Sequence, residues 1–69
     1  VEFSKTVKEI RTSSLLSQED FAKELDVSFS TVNRWETGKT KPSYNALKKI
    51  KIFCESRNIL FDAEKFINN

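Results

Sequence analysis

Sixty-nine residues leave room for one small hydrophobic core and exclude a second domain. A single Gly and a single Pro, with 38% hydrophobic and 32% charged residues, argue against a disordered chain or linker and favour helices. The net charge of +2 says little by itself, but it is unevenly spread: Arg34, Lys39, Lys41, Lys48, Lys49 and Lys51 stand against Glu36, while Glu19, Asp20, Glu24 and Asp26 stand against Lys23.

The first helix is expected from about Ser4 to Thr12, because Phe3, Val7 and Ile10 recur at i, i+4 and i+7. Thr12, Ser13 and Ser14 end it. Ser17 opens the second helix as N-cap, with Asp20 as a short variant of the capping box and Leu16 stapled onto Phe21. Ser28 repeats the arrangement at the third helix, with Val27 and Val32 as the staple. Asp62 repeats it at the last, with Phe61 and Phe66. Leu25-Asp26-Val27 is too short a link to let the second and third helices run side by side, so they cross steeply. Asp26 is the best candidate there for a left-handed conformation. Gly38 stops the third helix, and Pro42 and Ser43 start a fourth that runs to about Ser56. Its inner face holds Ala46, Leu47, Ile50, Phe53 and Cys54. Arg57 to Leu60 link it to a short fifth helix, Ala63 to Ile67. The expected fold class is therefore all-α, with five helices and no strand.

The third helix carries the chemistry. Val32 and Trp35 point to the core at i and i+3, leaving Phe29, Ser30, Asn33, Arg34 and Thr37 outward. Asn can pair twice with adenine and Arg twice with guanine; Ser donates or accepts with several bases, and an exposed Phe packs on a thymine methyl. The competing reading is an ordinary amphipathic helix with a polar outer face. The steep turn before this helix and the basic loop after it favour base reading.

Ser17 to Pro42 resembles the helix-turn-helix of the phage repressor and Cro family, also called the XRE family of bacterial regulators. The matching pieces are Ser17-Gln18, Phe21-Ala22, Leu25, Val27, Val32, and Trp35-Glu36-x-Gly38 followed by Lys-x-Lys-Pro. The likeness extends from about Val7 to Phe53. It implies a compact lambda-repressor-like domain over residues 1–69, with the motif at 17–37. It implies that Ser28, Phe29, Ser30, Asn33 and Arg34 face the major groove of double-stranded DNA. Ser17, Gln18, Thr31, Thr37, Lys39, Thr40 and Lys41 would hold the DNA backbone. Arg11 and Glu36 match a structural ion pair between the first and third helices, and Ala22 is the small residue at the helix crossing. Two positions depart from the family pattern: Asp26 stands where Gly is common, and Phe29 where a polar reader is common. Phe29 would read a methyl group or belong to a protein contact, with the groove favoured.

Other chemistry finds no support in these residues. There is no His, and the sole cysteine, Cys54, lies on an apolar face, so no catalytic set, metal site or cofactor is expected. Cysteine usage suggests a reducing compartment, taken as the cytoplasm, and no signal peptide or membrane-spanning run is expected. With no Met, the chain is expected to be part of something longer. The expected role is a transcriptional regulator of repressor type. A homodimer would form through the C-terminal region, where Ile59, Leu60, Phe61, Phe66 and Ile67 cluster, with Phe61 and Phe66 favoured as core. The alternative is a protein-interaction module, antitoxin-like or a targeting appendage of a larger protein, in which DNA binding is secondary.

Overall fold

The computed structural model describes residues 2–67. Four α-helices follow one another: α1 (Phe3–Ser13), α2 (Gln18–Leu25), α3 (Phe29–Glu36) and α4 (Tyr44–Ser56). A 3-10 turn, Ala63–Phe66, ends the fold, and no strand occurs among the described residues. Three helices start on a serine whose hydroxyl accepts a backbone N–H three residues on: Ser17 from Asp20, Ser28 from Thr31 and Ser43 from Ala46. Each cap satisfies a donor that the first helical turn leaves without a partner.

The helix ends share one device. Leu15, Asp26, Gly38 and Asn58 adopt left-handed φ of 59°, 57°, 75° and 59°. The next residue's N–H then turns back to a carbonyl in the last helical turn: Leu16 to Arg11, Val27 to Ala22, Lys39 to Arg34 and Ile59 to Cys54, at 3.3, 3.0, 2.9 and 2.9 Å. Leu16, Val27 and Ile59 use this reversal to reach the core. Lys39, at the end of α3, remains exposed.

The core gathers one face of every helix. Val7 and Ile10 come from α1, Phe21, Ala22 and Leu25 from α2, and Val32 and Trp35 from α3. Ala46, Leu47, Ile50, Phe53 and Cys54 close it from α4. The Phe21 ring meets the Phe53 ring edge-on at 5.2 Å, which ties α2 to α4. Ala22 is buried in this core, where a longer side chain would overpack it. Cys54 is buried and unpaired, and desolvation pushes its thiol up to about 11, so it is inert packing.

The expected fifth helix is a four-residue 3-10 turn, and Ile67 lies beyond it in extended backbone. Asp62 makes no side-chain cap there. So short a turn never develops the full α-helical turn whose amide an N-cap side chain engages. Aromatic rings hold the segment instead. Phe61 stacks on Phe66 at 5.9 Å, Phe66 meets Phe3 at 5.3 Å, and Phe3 meets Trp35 at 5.8 Å. Phe61 and Phe66 are therefore half-buried at the edge of the core. No helix is long and apolar enough to cross a membrane among the described residues.

Candidate nucleic-acid interface

A polar network fixes α3 against α1 and α2. Arg11 Nε donates to Glu36 Oε2 at 2.6 Å and Nη2 donates to Oε1 at 3.0 Å. Arg11 Nη1 donates to the Leu16 carbonyl at 2.9 Å. The Glu36 side chain is 4% exposed and that of Arg11 14%. Burial pushes the Glu36 carboxyl up, but hydrogen bonds from Arg11 and Gln18, with the charges of Arg11 and Lys8, outweigh it and hold the carboxyl below its ordinary value. The bond to Glu36 raises the Arg11 guanidinium in turn, against desolvation.

Gln18 extends this network to the surface. Its Nε2 donates to Glu36 Oε1 at 2.9 Å, and its Oε1 accepts from Asn33 Nδ2 at 3.4 Å. A carboxylate has no proton to give, so the amide of Gln18 can face it only through Nε2. That leaves its oxygen toward Asn33, so one chain of bonds runs from α1 to the outer face of α3.

The expected base readers do not all present free groups. Ser28 Oγ accepts the Thr31 N–H at 3.1 Å and lies 2.8 Å from Thr31 Oγ1 and 3.3 Å from Ser30 Oγ. Three partners fill a hydroxyl's one donor and two acceptor sites, so Ser28 serves the cap. Phe29, Ser30 and Arg34 are exposed, and Asn33 is half-buried with one amide proton on Gln18. Arg34 makes no ion pair among the described residues. Ser17 uses its hydroxyl in the α2 cap, at 3.0 Å from the Asp20 N–H. Thr37 Oγ1 donates back to the Asn33 carbonyl at 2.9 Å. Lys39 and Lys41 are exposed on the loop after α3, with Thr40 half-buried between them.

A groove of about 270 Å³, with Val27, Trp35 and Ala46 among its lining, lies between α3, this loop and the start of α4. Thr31, Thr40, Lys41, Ser43, Asn45 and Lys49 line it beside buried Trp35. The indole N–H of Trp35 has no hydrogen bond among the described residues. The N-terminus of α4 opens here, and its first amides and dipole favour an anion. Ser43, Asn45 and Lys49 line this groove and were not among the residues expected to hold the backbone. The serine start of α4 was a visible signal for the first two. Lys49 had none.

The profile of the helix-turn-helix family matches residues 7–53. This chain belongs to that family, in its XRE type. It is also 35% identical over 68 residues to the HTH-type transcriptional activator BcrR of Enterococcus faecalis, a match covering 97% of this chain and 33% of that protein. The chain thus spans about a third of the length of that curated relative. No solved structure matches it. In this helix-turn-helix domain the turn residue is Asp26, with φ 57° and ψ 49°. Its carbonyl accepts a hydrogen bond from Lys49 Nζ at 3.0 Å, so α4 holds the turn that sets the angle between α2 and α3.

Proposed function

We propose that this helix-turn-helix domain binds double-stranded DNA sequence-specifically, with α3 in the major groove, as part of a transcriptional regulator. The observation that carries the reading is the outer face of α3. Phe29, Ser30 and Arg34 take no part in the core, while the network through Glu36 and Gln18 fixes the helix from behind. The mechanism divides in two. Lys39, Lys41, Thr40 and the amides at the starts of α2 and α4 hold phosphates, which supplies salt-dependent affinity and register. Gln18, Ser17, Thr31 and Thr37 lie along the same backbone track. Arg34 then reads guanine, Asn33 reads adenine through the amide atoms Gln18 leaves free, and Ser30 contacts a neighbouring base edge.

One such module touches few base pairs, so useful specificity calls for two copies on a two-fold site with centres about 34–36 Å apart. Leu60, which is 100% exposed, with Ile52 and Ile67, supplies apolar surface for that pairing. The name of the Enterococcus relative states activation, whereas blocking of polymerase would make a repressor. In both cases this domain's share of the work is operator recognition, in the cytoplasm. Selection of bound duplexes from a random pool tests the reading. A palindromic consensus is expected. Failure to retain any duplex at low salt refutes it.

A further inference from the structure

The first turn of α3 presents an unusual reader. Ser28 has its hydroxyl filled by Thr31 and Ser30, so the helix start offers no free polar group at that position. Phe29 follows, 49% exposed, outside the core cluster and in no ring contact with another aromatic side chain among the described residues. A phenyl ring makes no hydrogen bond to a base edge. What it can gain in the major groove is contact with an apolar substituent, and the pyrimidine 5-methyl is the one that projects there.

We infer that Phe29 reads the 5-methyl group of a pyrimidine and not the identity of the base carrying it, so that thymine and 5-methylcytosine are equivalent at that step and uracil and cytosine are equally poor. This rests on α3 docking in the groove, as proposed above. The discrimination between thymine and cytosine normally comes from the O4 acceptor and the N4 donor, and no group at the Phe29 position distinguishes them.

The test begins with a duplex selected by the chain from a random pool. Each thymine of one half-site is replaced in turn by uracil, cytosine and 5-methylcytosine, and binding is measured at fixed salt. At one step, loss of the methyl should weaken binding about fourfold, the equivalent of one buried methyl at about 0.8 kcal/mol. 5-Methylcytosine should restore thymine-level binding there, after its partner base is changed to guanine. With Phe29→Ala the four pyrimidines should bind alike, while the thermal melting curve confirms an intact fold. If 5-methylcytosine binds as poorly as cytosine, the base edge is read and the inference fails. If Phe29→Ala keeps the methyl preference, another residue reads it and the inference fails. If no thymine is methyl-sensitive on a specifically bound duplex, Phe29 is not a reader, yet DNA binding stands. Absence of any bound duplex removes both.

Discussion

Removing the Glu36 carboxylate should destabilise this domain far more than an ordinary surface substitution. In Glu36→Ala the Arg11 guanidinium loses the partners of Nε and Nη2, and Gln18 loses its acceptor. Arg11 keeps its bond to the Leu16 carbonyl and a side-chain exposure of 14%. Breaking a buried pair on one side costs about 3–5 kcal/mol, and those two reliefs place this case near the lower end, at about 3 kcal/mol. A chain of this size has roughly 3–10 kcal/mol in all. At about 4–8 °C per kcal/mol, the melting temperature should fall by roughly 12–24 °C in a circular-dichroism melt. Replacing both partners with leucine should cost less than the sum of the single changes. The pH dependence has a definite sign. The folded carboxyl titrates below its unfolded value of about 4.3, so its stabilisation is complete above that pH and is lost as pH falls through the folded value. Glu36→Ala should lack that acid limb. A Glu36→Ala melting point within about 3 °C of the parent, at neutral pH, would refute the reasoning.

Arg34→Ala should cost about 1–3 kcal/mol against the preferred duplex and relax preference at one base pair, measured by competition binding. Equal loss on every duplex would remove Arg34 from the readers. Lys39→Ala and Lys41→Ala should each weaken binding to all sequences and reduce the slope of log affinity against log salt by about 1. An unchanged slope would take that lysine out of the phosphate set. Leu15→Gly should stabilise the domain by about 0.5–1 kcal/mol, because Leu15 is left-handed and 92% exposed, so backbone strain is relieved and almost no packing is sacrificed. A lower melting temperature would show that the leucine side chain is itself stabilising.

What could be seen in the amino-acid order was what depends on near neighbours. The caps at Ser17 and Ser28 and the left-handed Asp26 follow from side-chain chemistry within a few residues. Asp62 carries the same local signal, yet the segment after it is fastened by rings from α1, and no local pattern reveals that competition. Leu15 was illegible for the opposite reason. Leucine has no preference for left-handed backbone and occupies it because α1 must reverse to bring Leu16 inward. In the site, outward spacing picked out Phe29, Ser30, Asn33 and Arg34. It did not show that Asn33 is coupled through Gln18 to the buried pair, or that Lys49 reaches the Asp26 carbonyl from 23 residues away. Those bonds exist because of the angle at which helices cross.

The reversal that ends each α-helix anchors three exits with an apolar side chain and leaves the fourth with Lys39. Of the four exits, the one at residues 37–41 therefore has the least to lose by opening. Their amides should exchange with solvent deuterium ahead of those at the other three exits, at a free energy well below that of global unfolding. Phosphates bound across the loop would supply the missing anchor, so nucleic acid should slow exchange there more than anywhere else. Order that the core does not impose on the grip would then come from the partner being gripped.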